Sequence, residues 1–218
     1  MSIRSLFPTQ IYAAALKPKG VALLNQRLLD ESMALADADG AGQAWSEKNY
    51  LGGYTSYGSH CRLHLISPLF AELERALRPH AQRYAKALDY DMRGRRLMMT
   101  DCWVNIMPAQ VMHGSHLHPL SFISGTYYVQ TPRGAAPLKF EDPRLVLLMA
   151  APPRRADAPA AKRPFVTHRA RAGHLVLFES WLRHEVPASD VKGERVSISF
   201  NYAWEQAPPA GGKRGKGT

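Results

Sequence analysis

The spacing of apolar residues changes character near residue 97. Before that point, apolar residues recur every three or four positions in two segments, residues 19–39 and 67–91, which predicts two amphipathic helices. Ser67 is placed to cap the second helix, and Pro68 is placed at its first helical position. A kink is expected at Pro79. The predicted apolar stripes consist of Val21, Leu24, Leu28 and Leu35 in the first helix, and of Phe70, Leu73, Leu77, Tyr84 and Leu88 in the second.

After residue 97, short apolar or alternating runs separated by Gly and Pro predict strands. The predicted strands cover residues 97–109, 122–132, 136–143, 145–150, 164–172, 173–181 and 194–204. Helices followed by many strands indicate an α+β protein in which helices pack on a β-sandwich or barrel. The chain length suits one domain, expected over residues 1–206, followed by a flexible basic tail at 207–218.

The last predicted strand alternates most clearly. Val196, Ile198, Phe200, Tyr202 and Trp204 share its apolar face, and Arg195, Ser197, Ser199 and Asn201 share the other. A buried arginine beside a serine hydroxyl can hold a carboxylate through paired, charge-assisted hydrogen bonds. Arg195 and Ser197 are therefore a candidate anion clamp.

Histidines supply a second candidate site. His113, His116 and His118 lie within six residues, and His184 follows an apolar strand farther along the chain. Only two cysteines occur, and neither belongs to a C-x-x-C pair, which excludes a disulfide scaffold and a cysteine-rich zinc site. A metal held here would have nitrogen and oxygen ligands, which favours iron, manganese or catalytic zinc.

The net charge of +10 is concentrated in two segments. Residues 150–172 contain six basic residues and one acidic residue, and residues 207–218 contain three basic residues and no acidic one. Because the rest of the chain is nearly neutral, the charge argues against nucleic acid as the main partner. The sequence has neither a run of 18 apolar residues nor the apolar core of a signal peptide, so we expect no membrane-spanning helix and a cytoplasmic location.

The order H-x-H, then H, then R-x-S resembles the Fe(II)/2-oxoglutarate-dependent oxygenases of the double-stranded β-helix fold. More narrowly, the chain resembles a bacterial group of 2OG-Fe(II) oxygenases. The matching segments are "LFPTQIY", "WVNIM", "HLHPLSFISGTYYV", "FEDPR", "GHLVLFESWLRHEVPAS" and "ERVSISFNY", which run in order up to residue 202. The resemblance implies a jelly-roll or cupin-like core with the N-terminal helices packed on it.

The same resemblance implies Fe(II) as the metal and 2-oxoglutarate as co-substrate, with O₂ and a small-molecule or peptide substrate as partners; a homodimer is compatible with it. The activity implied is hydroxylation coupled to decarboxylation of 2-oxoglutarate to succinate and CO₂. His184 would be the distal iron ligand, and Arg195 would bind the far carboxylate of 2-oxoglutarate. The other implied residues are Ser197 beside Arg195, Tyr127 or Tyr128 as a phenol donor, and Asn105 and Trp103 on the pocket wall.

The proximal ligands depart from the superfamily pattern H-x-D or H-x-E. This chain has His116-Leu117-His118, with no Asp or Glu between Asp101 and Glu141. His118 replaces the carboxylate, or two protein ligands act with water, or His113 is the proximal ligand with Ser115 in the place of the acid. Glu141 or Asp142 reaching the metal is a further alternative.

Two rival functions stay open. One is a cupin-like metalloprotein that uses three histidines without 2-oxoglutarate. The other is a non-enzymatic binding module whose basic loop and tail hold an acidic partner. Trp103, Tyr127 and Tyr128 also suit an ordinary aromatic core. Residues 41–58 and 150–165 are expected to rim the pocket.

Overall fold

Two antiparallel sheets and four α-helices make up the computed structural model, which describes residues 2–16 and 20–206. The strands are β1 (Ile11–Ala15), β2 (Tyr54–Thr55), β3 (Arg95–Met107), β4 (His113–His116), β5 (Ile123–Gln130), β6 (Leu138–Glu141), β7 (Phe165–His168), β8 (His174–Glu179), β9 (His184–Val186) and β10 (Arg195–Gln206). The helices are α1 (Val21–Ala38), α2 (Gly40–Asn49), α3 (Leu63–Ile66) and α4 (Pro68–Ala87).

The larger sheet has the strand order β1-β8-β5-β10-β3-β2, and the smaller has the order β4-β9-β6-β7. Apolar residues of both sheets pack together in an inner core that includes Tyr128 and Phe178 from the larger sheet and Phe140 and Val186 from the smaller. The two sheets therefore face each other as a sandwich, with the inner core between them.

Helices α1 and α4 cover the outer face of the larger sheet. Leu28, Leu73 and Leu77 are buried there against strand residues such as Val104 and Ile198. The predicted helices are confirmed, and so is the cap, because the hydroxyl of Ser67 accepts hydrogen bonds from two backbone amides at the start of α4. The α4 helix continues through Pro79.

The alternation predicted for β10 is also confirmed. Val196, Ile198 and Phe200 are fully buried in the outer core, under the helices. Arg195 and Ser197 lie on the opposite face, which looks into the space between the sheets and is buried as well. Strand β10 therefore packs an apolar face against the helices and carries buried polar side chains on its inner face.

The strand predicted at residues 145–150 is wrong. A 3-10 helix, Leu145–Leu147, lies there, and it leaves Val146 and Leu147 exposed. Asp142 starts this turn by accepting a hydrogen bond from the Arg144 backbone amide. An apolar run forms a strand only where a neighbouring strand pairs with it, and a series of tight turns satisfies this backbone instead.

Helix α2 and the short strands β1, β2, β4 and β9 were not predicted. Helix α2 has few apolar residues, and it begins where the side chain of Asp39 accepts a hydrogen bond from the Gly42 amide. None of the described helices is long and apolar enough to cross a membrane. The tail predicted at residues 207–218 lies outside the described residues.

Gly125 of β5 provides a test of the packing. A methyl group at this position would lie 2.6 Å from both Leu177 Cδ2 and Phe200 Cε2, which are side-chain atoms of the neighbouring strands. We expect Gly125→Ala to lower the free energy of unfolding by about 1–3 kcal/mol, as overpacking does in well-filled cores. Urea denaturation measures this change.

Gly40→Ala is the matched control. A methyl group there meets no atom within 4 Å, and the residue begins helix α2. Alanine at this position should be neutral or stabilise the protein by up to about 1 kcal/mol. Equal effects of the two substitutions would contradict the packing described for β5.

Candidate metal and co-substrate site

The pairing of β4 with β9 brings the histidines together. His116 lies directly opposite His184 across this antiparallel pair, so both side chains leave the sheet on the same face. His118 follows β4, and its backbone amide donates a hydrogen bond to the carbonyl of Ser180. The ligand atoms of His116, His118 and His184 all lie within 4.8 Å of one another.

Backbone carbonyls fix the orientation of two of these rings. Nδ1 of His184 lies 2.8 Å from the carbonyl oxygen of Leu182, and Nδ1 of His116 lies 2.7 Å from that of Gly114. Because a carbonyl only accepts, each Nδ1 carries the proton and donates it. In the neutral rings, the lone pair is then on Nε2, the arrangement that metal-binding histidines adopt.

Burial keeps the imidazoles neutral. Burial, together with the neighbouring His116, lowers the pKa of His118 and of His184 to about 3 in each case. Burial also lowers the pKa of His116, although its hydrogen bond to Gly114 acts in the opposite direction. At neutral pH the three rings are therefore unprotonated bases, which is the form that binds a metal.

The distances suit one shared cation. Nε2 of His118 and Nε2 of His184 are 3.3 Å apart. Two nitrogens that each lie about 2.1 Å from one metal, at right angles or slightly wider, are about 3.0–3.4 Å apart. The donor set thus fits a metal that accepts imidazole, such as iron, zinc or nickel.

The other proposed ligands do not join this group. The ring of His113 stacks on that of His116, with 4.4 Å between centroids, and His113 is absent from the three-residue cluster of ligand atoms. The carboxylate of Asp142 is paired with Arg144. Glu141 alternates with Phe140, which pairs with His184, so its side chain leaves the other face of the smaller sheet.

Arg195 lies across the cavity from the histidines, at the start of β10, and only 5% of it is exposed. Its Nη1 donates a hydrogen bond to the hydroxyl of Ser197 at 3.1 Å and lies 3.5 Å from the sulfur of Met107. Its guanidinium carbon is 5.1 Å from the centre of the Tyr128 ring. Among the described residues, no carboxylate forms an ion pair with this guanidinium.

Strand register places the remaining polar residues beside this clamp. Asn105 of β3 and Tyr128 of β5 both lie opposite Ser197 of β10, so the three side chains form one row on the inner face. The adjacent row consists of Trp103, Ser199 and Thr126. Except for Tyr128, the residues of both rows line a cavity with about 460 Å³ of empty space, part of it open to solvent, which the four histidines also line.

Tyr127 does not belong to this site. It lies on the outer face of β5, where its hydroxyl donates a 2.6 Å hydrogen bond to Asn25 of helix α1. The sequence left Tyr127 and Tyr128 as alternatives, and of these two only Tyr128 lies near Arg195. Trp103 lines the cavity, with its ring tilted against that of His118 at 5.8 Å.

Several buried polar atoms near the clamp have no hydrogen-bond partner among the described residues. They are Nε of Arg195, the hydroxyls of Tyr50, Tyr128 and Thr126, and Oδ1 of Asn105. Such atoms are costly to bury unless a ligand or water satisfies them. Arg195 with its neighbouring hydroxyls fits a carboxylate, which presents only acceptors. The cavity therefore fits a metal at the histidines and, at Arg195, the carboxylate of a molecule that extends from the metal.

Sequence reasoning missed two residues of this cavity. Thr126 could have been found, since strand alternation places Ser124, Thr126 and Tyr128 on one face of β5. Tyr50 lies within residues 41–58, which were expected to rim the pocket, but no sequence pattern singled out this residue.

The central part of the chain matches a known family. Residues 101–201 match the family model described as "Putative 2OG-Fe(II) oxygenase", which agrees with the resemblance seen in the sequence. The matched region includes the three clustered histidines and Arg195, and it ends before the close of β10. No curated protein matches the chain in sequence.

Solved structures share the fold. A prolyl-4-hydroxylase from Pseudomonas putida is 17% identical, with a TM-score of 0.56 over 89% of this chain and 92% of that chain. SnoN, a non-heme alpha ketoglutarate dependent epimerase from nogalamycin biosynthesis, is 17% identical, with a TM-score of 0.60 over 97% and 85%. HygX from Streptomyces hygroscopicus, solved with nickel and 2-oxoglutarate bound, is 13% identical, with a TM-score of 0.56 over 90% and 83%. The double-stranded β-helix core is thereby confirmed.

Replacing Arg195 tests whether its buried charge serves binding at the expense of stability. Methionine has a similar length and suits the contacts with Met107 and Tyr128. Because a buried cation without a carboxylate is costly, Arg195→Met should raise the free energy of unfolding of the ligand-free protein by on the order of 1 kcal/mol. Urea denaturation measures the change.

Arg78→Met serves as the comparison. Arg78 pairs with Glu74 on the surface of α4, so its loss should change the free energy of unfolding by less than about 0.5 kcal/mol. A loss of several kcal/mol in Arg195→Met would show that Arg195 stabilises the fold and would count against its role as a clamp.

The neutral histidines make the metal-free protein sensitive to acid. For His113, His118 and His184, the folded-state pKa of about 3 lies below the unfolded value of 6.5. At pH values between these two, the unfolded chain therefore binds more protons than the folded protein. The free energy of unfolding should then fall from pH 7.5 to pH 5.5, by up to about 1.4 kcal/mol per pH unit for each such histidine. His113→Gln should reduce this slope, and an unchanged slope would contradict the burial of His113.

Proposed function

We propose that this chain, whose residues 101–201 match the 2OG-Fe(II) oxygenase family model, is an Fe(II)- and 2-oxoglutarate-dependent dioxygenase that hydroxylates its substrate. One observation carries the proposal: three clustered histidines and a buried arginine without a carboxylate partner line the same cavity from opposite sheets. Iron and 2-oxoglutarate, when bound there, would supply the oxidising chemistry, in which 2-oxoglutarate and O₂ become succinate and CO₂ while one oxygen atom enters the substrate.

His116, His118 and His184 would hold the iron through their Nε2 atoms. His118 then replaces the carboxylate of the common H-x-D pattern, so the protein contributes three neutral ligands and no negative charge. The two carboxylates of 2-oxoglutarate would offset two of the three positive charges carried by Fe(II) and Arg195. Bound metal should therefore strongly raise the affinity for the co-substrate, and bound co-substrate should raise the affinity for the metal by the same factor.

The protein would position these groups and keep water away. Arg195, with Ser197 and Tyr128, would hold the far carboxylate of 2-oxoglutarate through charge-assisted hydrogen bonds. Asn105 lies in the same strand row and would contribute to the polar wall. Phe178 packs against the ring of His184 with 4.5 Å between centroids and shields that side of the site with apolar surface.

The all-nitrogen ligand set favours one alternative, a cupin-like metalloprotein that binds metal through the same histidines without 2-oxoglutarate. In that protein Arg195 would be dispensable. The non-enzymatic alternative is a binding module. It gives no reason for the histidine cluster or for the buried polar atoms near Arg195 that lack a hydrogen-bond partner. The substrate is proposed only as a small molecule or peptide, because the similar folds named above include both a hydroxylase and an epimerase.

A cytoplasmic location forms part of the proposal. Cys61 and Cys102 are both free thiols, which suits a reducing compartment. The nearly neutral charge outside residues 150–172 and 207–218 supports a small-molecule or peptide substrate over nucleic acid.

An anaerobic titration tests the proposal. Fe(II) is added to the metal-free protein, followed by 2-oxoglutarate, and the visible charge-transfer band of the chelate is recorded. We expect a one-to-one band. His184→Ala should abolish it, whereas Arg195→Met should raise the 2-oxoglutarate concentration required by about 100-fold or more, because charge-assisted hydrogen bonds are lost.

His80→Ala is the control, since His80 lies on α4, bonds Tyr12 and is remote from the cavity. Its titration should equal that of the wild type. Fe(II) binding without the band would favour the cupin-like alternative. Absence of Fe(II) binding would exclude both enzymes and leave the binding module, whose association should weaken strongly with salt.

A further inference from the structure

Tyr50 brings a hydroxyl into the cavity from outside the matched family region. It is 4% exposed and lines the same cavity as the histidines and Arg195, yet it belongs to the segment that joins α2 to β2. Its hydroxyl has no hydrogen-bond partner among the described residues. A buried phenol without a partner is costly, so its position requires a reason.

The backbone holds this ring in place. The amide of Tyr50 donates to the carbonyl of Ser46, which closes α2, and the amide of Gly53 donates to the carbonyl of Tyr50. A side chain at Gly53 would lie 2.7 Å from Cε1 of the tyrosine ring, so glycine is needed for the ring to lie there. Pairing of Tyr54 with Ile106 then fixes the segment to β3.

The ring faces the clamp. It packs in the inner core with Met107, whose sulfur contacts Arg195, and with Tyr128, whose ring lies near the same guanidinium. Its edge meets the ring of His113 at 5.1 Å. Burial raises the pKa of Tyr50, with the positive charge of Arg195 acting in the opposite direction, so the phenol stays protonated and is available as a donor.

We propose that the hydroxyl of Tyr50 donates a hydrogen bond to the far carboxylate of 2-oxoglutarate and completes the clamp formed by Arg195, Ser197 and Tyr128. This inference rests on the proposed function, because it requires 2-oxoglutarate in the cavity. A carboxylate has about four lone-pair sites, and one guanidinium fills at most two of them. The phenol hydroxyls would supply donors for the remaining sites, while one Nη1 proton of Arg195 bonds Ser197.

The anchoring of Tyr50 gives this contact a structural consequence. Its segment is tied to α2 on one side and to β3 on the other. The bound co-substrate would therefore contact both the β-core and the segment that follows helix α2, although the family match begins only at residue 101.

The test compares two 2-oxo acids in anaerobic titrations of the Fe(II)-loaded protein. Pyruvate has the chelating 2-oxo acid group of 2-oxoglutarate and lacks the far carboxylate. Tyr50→Phe, which removes only the hydroxyl, should raise the dissociation constant for 2-oxoglutarate by about 10- to 150-fold, as expected for one hydrogen bond to a charged acceptor. The dissociation constant for pyruvate should stay unchanged.

Tyr127→Phe is the matched control. It removes the same atom from a neighbouring buried tyrosine whose hydroxyl bonds Asn25 on the other side of the sheet. It should leave the binding of both acids unchanged. A melting temperature of ligand-free Tyr50→Phe equal to or above that of the wild type would confirm that the phenylalanine ring keeps the packing.

Wild-type affinity for 2-oxoglutarate in Tyr50→Phe would overturn the inference while the proposed function stands. Equal weakening of both acids would also overturn it, because the hydroxyl would then act at the metal end or through the packing. If the wild-type protein binds Fe(II) and fails to bind 2-oxoglutarate, the proposed function fails and the inference fails with it.

Discussion

The buried charge of Arg195 is the constraint on which the rest of the site depends. A guanidinium between two sheets, with no carboxylate partner among the described residues, costs free energy unless hydrogen-bond acceptors, aromatic rings and a bound anion compensate for it. The surroundings provide part of the compensation through the hydroxyl of Ser197 and the face of the Tyr128 ring. The remaining donors stay unsatisfied, and this is why the inner face of β10 is suited to bind a carboxylate.

The histidines depend on a different property of the fold, namely the register of very short strands. Strand β9 has three residues, yet it pairs with β4 on one side and with β6 on the other. This double pairing sets His184 opposite His116 and backs it with Phe140. Hydrogen bonds from Nδ1 to backbone carbonyls then orient the rings, so that the ligand atoms are organised before any metal binds.

Much of this arrangement could be predicted because it repeats a local pattern. The alternation of β10 fixed which side of the strand Arg195 and Ser197 occupy, and the helical spacing in α1 and α4 identified the outer core. The spacing of the histidines suggested a metal site, although it left the choice between His113 and His118 open. That choice depends on proximity in three dimensions, and the structure groups His118 with His116 and His184.

Other features depend on partners far away in sequence. Strands β1, β4 and β9 are too short to show a period and exist because a neighbouring strand pairs with them. Residues 145–150 look like a strand and lack such a neighbour. Tyr50 reaches the cavity only because α2 ends there and Gly53 leaves room for its ring, and no local pattern records either fact.

Anomalous diffraction from crystals grown anaerobically with Fe(II) and 2-oxoglutarate tests the central claim most directly. An iron peak bonded to Nε2 of His116, His118 and His184, with the far carboxylate of 2-oxoglutarate on Arg195, is the expected result. A peak bonded to His113 or to a carboxylate in place of His118, or a co-substrate that does not reach Arg195, would contradict the site described above.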